Sequence, residues 1–145
     1  MRLSAEENKA TTRRINDEAW TNGSLDVIDE VLADDYVHTV VGAPEPIRGR
    51  AGFRELVTTY RNAFPDFRVT TEEQIGEGNV VVTRWTATGT HERELMGMPA
   101  TGKQATAAGI SIDHFADGKL VAGWAMFDQL GFLQQLGAVP TPAGA

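Results

Sequence analysis

The 145-residue sequence predicts an α+β fold, with helices in its first half and strands in its second. Two observations carry this. Phe53, Val57, Tyr60 and Phe64 recur at i, i+4, i+7 and i+11, one face of a helix. After Pro65 come four long strand-like segments joined by glycine-bearing links. Helices ahead of four consecutive strands pack best on one face of a curved antiparallel or mixed sheet. Twist rolls that face into a cone around an apolar pocket. The uncovered outer face is where a second subunit would sit, which makes a homodimer the expected assembly.

The elements follow in order. Ser4 and Glu7 form an S-x-x-E capping box, so helix one starts at Ser4 and runs to about Thr21 with Ile15, Ala19 and Trp20 inward. Asn22-Gly23 ends it, and Ser24 is expected to cap a short second helix with Leu25, Ile28, Val31 and Leu32 as its stripe. Tyr36–Val41 reads as a strand stopped by GAPEP, and Arg50–Ala63 as helix three. The strands are expected at about Asp66–Ile75, Asn79–Arg93, Lys103–Phe115 and Lys119–Asp128, before a closing amphipathic turn, GFLQQLG. Residues 1–139 form a single domain in this reading, and 140–145 a flexible tail.

Composition narrows the function. A net charge of −7 argues against nucleic acid and against anionic membrane surfaces. No apolar run is long enough to cross a bilayer, and the polar start MRLSAEENKATTRR is not a secretory signal. The absence of cysteine removes disulfides, thiol catalysis and thiolate metal sites, in keeping with a cytoplasmic enzyme. Lysine occurs only at Lys9, Lys103 and Lys119, a bias that fits either a high-salt host or GC-rich codons. No spaced histidine pair suggests a metal site, and no glycine-rich nucleotide loop or serine-hydrolase elbow is present.

Several segments carry a resemblance: GTH at Gly89–His91, GMPATGK at Gly97–Lys103, IDHFADGKLVAGWAMFD at Ile112–Asp128 and LGFLQQLG at Leu130–Gly137. They resemble the SnoaL-like polyketide cyclases, and the order of elements is similar to the NTF2-like cone. The resemblance implies three helices enclosing an apolar pocket, and catalysis without a cofactor. It also implies an acid/base aspartate at Asp128 and a pocket histidine one hairpin earlier, at His114.

Two readings of Asp128 stand on the residues alone. Alternation puts it in a row with Leu120, Ala122, Trp124 and Met126, taken as the pocket face, where desolvation would make it a usable acid or base. It equally suits the N-cap of the final helix. His114 shares a face with Ile110 and Ile112 and pairs nearer Lys119–Val121 than Asp128, so the two would address different ends of one pocket. The substrate wall is expected from Tyr36, His38, Phe53, Tyr60, Trp85, Trp124 and Met126. Met96 and Met98 would act as a pliable rim or lid, or pack on a partner. His91 is expected at the surface or against that loop, and Arg84 on the outer sheet face.

The expected activity is acid/base chemistry on an apolar carbonyl compound, an intramolecular aldol cyclisation or related isomerisation. An epoxide hydrolase would want an Asp two residues from Arg84, where Thr86 stands. The alternative from another class is a non-catalytic binder of a hydrophobic small molecule or a dimeric interaction module.

Overall fold

The structure is a computed structural model and describes residues 4–140. Of the expected tail, residues 141–145 lie outside the described residues. Helix α1 (Ala5–Arg14) opens with the reciprocal capping box: Glu7 N donates to Ser4 Oγ and Ser4 N to the Glu7 carboxylate, both at 3.1 Å. It widens into a π-helical segment, Ile15–Thr21, that turns Ile15 and Ala19 into the core. The Arg61 guanidinium satisfies the carbonyls of Trp20 and Thr21 at the end of this helix, at 2.7 Å each.

The second helix corrects the expected cap. Helix α2 spans Asp26–Val31 with Leu25 at the N-cap position and no side-chain cap; Ser24 instead donates its backbone N–H to Glu18 O. Val27, Ile28 and Val31 are buried, and Leu32 passes directly into strand β1 (Leu32–Val40). A two-residue strand β2 (Ile47–Arg48) returns against β1, too short to show any periodicity in sequence. Helix α3 (Gly49–Ala63) buries Phe53 and Val57 along the expected stripe. Strands β3 (Arg68–Glu77), β4 (Val80–Thr90), β5 (Gln104–Ala116) and β6 (Lys119–Phe127) follow, and α4 (Gln129–Gln135) closes the chain.

The six strands form one mixed sheet in the order β2-β1-β6-β5-β4-β3; β1 runs parallel to β6, and the other pairs are antiparallel. The β5–β6 link uses Asp117 and Gly118, at φ +52° and +78°, the left-handed pair a tight hairpin needs. Inward-facing positions are small along β5, with Ala105, Ala107 and Gly109 buried, so the concave face holds large side chains from its neighbours. Among the described residues no helix is long and apolar enough to cross a membrane.

One register detail overturns an expected face. Phe115 pairs with Leu120 but His114 with Ala122, so Val121 is an extra residue on β6. The bulge shifts the alternation by one, and Leu120, Gly123 and Ala125 are the buried residues of that strand. Trp124 and Met126, expected in the pocket, lie on the outer face beside Ile110 and are exposed.

Gly109 shows how closely the concave face is filled. A Cβ there would stand 2.3 Å from the Trp85 indole, its cross-strand neighbour. Gly109→Ala is therefore expected to displace Trp85 and cost roughly 1–3 kcal/mol. Denaturant unfolding and the tryptophan emission maximum check both effects.

Candidate functional site

Between the helices and the concave sheet face lies a cavity of about 420 Å³. Its wall is mostly apolar, with Trp20, Tyr60, Phe64, Trp85, Phe127 and Phe132 among the lining residues. Trp20 meets Phe67 and Tyr60 with ring centroids 5.5 and 6.2 Å apart, and Trp85 meets Phe127 at 6.3 Å. Met96 lines the cavity while remaining 70% exposed, so it sits at the rim. Such a chamber suits a rigid apolar ligand.

A second cavity, of about 50 Å³, is different in kind. Asn16, Trp20, His38, Trp85 and Ser111 line both spaces and so form the neck between them. Beyond this neck stand Thr12, Tyr36, Thr83 and Asp113, with the apolar Ile15, Phe53 and Leu120. The polar groups converge for a reason visible in the register. His38 pairs across β1–β6 with Gly123, and Gly123 pairs across β6–β5 with Asp113. A Cβ on Gly123 would stand 2.3 Å from Tyr36 Oη, 2.9 Å from His38 Nδ1 and 3.1 Å from Asp113 Oδ1. The missing side chain is what lets three polar groups from two flanking strands meet.

Burial tunes each of them. It pushes the Asp113 carboxyl up to about 7, because no charge or hydrogen bond compensates the loss of water. It pushes the His38 imidazole down to about 4, so His38 is neutral near pH 7. Tyr36 is raised well above its usual value by burial and, secondarily, by the charge of Asp113. Tyr36 Oη and His38 Nδ1 are hydrogen-bonded at 2.8 Å, which fixes the imidazole and leaves Nε2 as its other polar atom. A carboxyl titrating near neutrality beside a neutral imidazole and a protonated phenol can take up and return a proton.

The structure places the sequence-derived candidates unevenly. Asp128 is exposed, caps α4 by accepting from Gly131 N at 2.9 Å, and lines neither cavity. His114 is exposed on the outer face, opposite Ala122, because residues of its parity on β5 point away from the helices. His38 and Trp85 line both cavities, Tyr36 and Phe53 the small one, and Tyr60 and Met96 the large one. Met98 packs on the cluster of Phe64, Leu95 and Leu136 instead. His91 is fully buried, stacked on Phe64 and bonded to Thr101 Oγ1 of the following loop at 3.1 Å. Arg84 lies outside, paired with Glu73. Sequence reasoning passed over Asp113 and Ser111. The signal that could have found them is the run of small residues at Ala105, Ala107 and Gly109, whose parity they share. Among the described residues no group of three or more His, Asp or Glu could hold a metal ion.

Comparison with known proteins agrees with this fold. The model of the SnoaL-like polyketide cyclase family matches residues 10–136. The aklanonic acid methyl ester cyclase DauD of Streptomyces sp. (strain C5) is 32% identical over 132 residues, covering 88% of this chain and 81% of its own. The aklanonic acid methyl ester cyclase DnrD of Streptomyces peucetius is also 32% identical, over 130 residues, covering 88% and 90%. Among solved structures, TsrD from Streptomyces laurentii superposes with a TM-score of 0.85 at 26% identity, over 94% of this chain and 99% of that one.

The two perturbed groups make opposite contributions to stability. Asp113 binds its proton more tightly folded than unfolded, so its contribution is complete below its ordinary 3.8 and lost as pH rises to about 7. His38 is depressed from 6.5, so its contribution is present above 6.5 and lost as pH falls to about 4. Asp113→Asn removes the first and leaves the second. The variant's unfolding free energy is therefore expected to gain on the wild type's as pH rises from about 4 to about 7. Urea titrations across that range measure the difference, and a constant offset would contradict the raised Asp113 carboxyl.

Proposed function

This chain belongs to the SnoaL-like polyketide cyclase family, and from that premise we propose that it is a cofactor-free acid/base enzyme closing a ring in an apolar carbonyl compound, with Asp113 moving the proton. The observation that carries this is the half-buried Asp113 carboxyl, facing the small cavity with Tyr36 and His38 around Gly123 and pushed up to about 7 by desolvation. The substrate would lie in the larger chamber, folded by its aromatic wall so that an activated carbon faces a carbonyl of the same molecule. Asp113 as carboxylate takes the carbon-bound proton, and the electron pair delocalises into the flanking carbonyls as an enolate. The enolate carbon attacks the second carbonyl, and the alkoxide formed receives the proton back. Burial raises the basicity of Asp113 above that of an ordinary carboxylate, which narrows the gap to a carbon acid. The neutral imidazole of His38 can polarise a substrate oxygen without carrying a charge into an apolar chamber. The methyl ester cyclases among its relatives make a polyketide ester the first substrate to try.

A second reading is a non-catalytic binder of a hydrophobic small molecule. It is favoured by the position of Asp113, which lines the small cavity and not the large one.

Aklanonic acid methyl ester, followed by liquid chromatography and mass spectrometry, separates the two. Ring closure is expected in the wild type, with Asp113→Asn lowering kcat by roughly 10²–10⁴ while ligand affinity changes little. The kcat/KM of the wild type should rise with pH through about 7, as the carboxylate form is populated. Asp128→Ala should keep its turnover and lose about 1 kcal/mol of stability with its cap. Tight binding without conversion of this or related esters would favour the binder.

A further inference from the structure

In the reading proposed above the larger chamber would receive the ligand, yet Asp113 lies beyond its neck. The space between is the small cavity, and its volume of about 50 Å³ is room for one or two waters at about 30 Å³ each. The polar groups around it have hydrogen-bonding capacity left over. Ser111 Oγ accepts from Trp85 Nε1 at 2.8 Å, so its own proton is not used by that bond. Thr83, 1% exposed, accepts from Gln74 Nε2 at 3.2 Å and likewise keeps its proton. Asn16 donates through Nδ2 to Thr71 Oγ1 at 3.0 Å, which leaves its carbonyl oxygen. Among the described residues none donates a hydrogen bond to the Asp113 carboxyl. A half-buried carboxyl without a protein donor, facing a polar, water-sized space, is the setting in which water completes the hydrogen bonding.

We propose that this small cavity is a water site, and that a water held by Asp113, Thr83 and Ser111 relays the proton between the carboxylate and a ligand in the larger chamber. The relay rests on the acid/base reading given above. In the forward step the carbon–hydrogen bond breaks and its proton joins the water oxygen, while a different water proton passes to an Asp113 oxygen. The electron pair stays on the substrate as the enolate, and the water is regenerated. After ring closure the same water carries the proton from Asp113 to the alkoxide, so protons and charge balance over the cycle. Thr83 is a positioning residue in this scheme, since it lines the small cavity alone, and Ser111 holds the water from the neck.

A high-resolution crystal structure should show an ordered water within hydrogen-bonding distance of Asp113 and of Thr83 or Ser111. With aklanonic acid methyl ester as substrate, Thr83→Val is expected to lower kcat about tenfold with KM little changed, and Thr83→Ser to restore it. With the activated carbon of the substrate pre-exchanged in each mixture of light and heavy water, the rate should curve, because both moving protons then carry the solvent's isotopic composition. If Thr83→Val fails to fold, Ser111→Ala takes its place with the same expectation. A cavity without ordered water, a linear isotope plot, or equal rates for the Val and Ser variants would overturn the relay. Asp113→Asn keeps the two ideas apart. Full turnover in that variant removes the acid/base reading and the relay with it, whereas lost turnover with a linear plot removes the relay alone.

Discussion

The site depends on one position without a side chain. Gly123 lies in the middle of a row that crosses the sheet from His38 on β1 to Asp113 on β5, with β6 between them. Neighbouring strands lie about 4.8 Å apart, so two residues separated by a third strand do not normally touch. With hydrogen in place of a side chain at the centre, Tyr36, His38 and Asp113 lean into one volume. Any Cβ there would collide with the tyrosine hydroxyl first. The parallel pairing of β1 with β6 is equally necessary, because it brings a strand from the helical half of the chain beside the C-terminal hairpin.

From that arrangement the electrostatics follow. The same helices and aromatic rings that wall the chamber also desolvate the three polar groups. Burial opposes charge whatever its sign, so it raises the carboxyl and lowers the imidazole together. The two values cross, leaving a weak acid and a weak base in their neutral forms over much of the range between them. A second glycine slot, Gly109 beneath Trp85, shapes the neck in the same way, and Trp85 in turn orients the Ser111 hydroxyl. Small residues on one strand thus set where large and polar ones on its neighbours can go.

Much of this was legible in the sequence. The capping box at Ser4, the stripe from Phe53 to Phe64 and the glycine-bearing hairpins all rest on contacts between residues close in the chain, and each stands where the pattern put it. Local reasoning also located Tyr36, His38 and Trp85 in the cavity wall. It went astray at Ser24, where a capping residue is present but the helix begins past it, and at β2, whose two residues are held by pairing alone.

The larger departure was over which face of the C-terminal hairpin looks inward. Side chains alternate with period two, so one inserted residue exchanges the two faces of everything beyond it. The bulge at Val121 did this, sending Trp124 and Met126 outward, while the inward parity of β5 left His114 outside and brought Asp113 in. Bulges leave no reliable mark in a single sequence, because they are decided by how two strands fit together. Asp128 shows the same division, since its capping geometry was readable locally but its distance from the cavity was not. The sequence by itself determined the family, the order of elements and the apolar stock of the chamber, all of which local patterns encode. Only the tertiary structure decided that Asp113 is the carboxyl facing the small cavity, because its desolvation and its neighbours come from strands far apart in the chain.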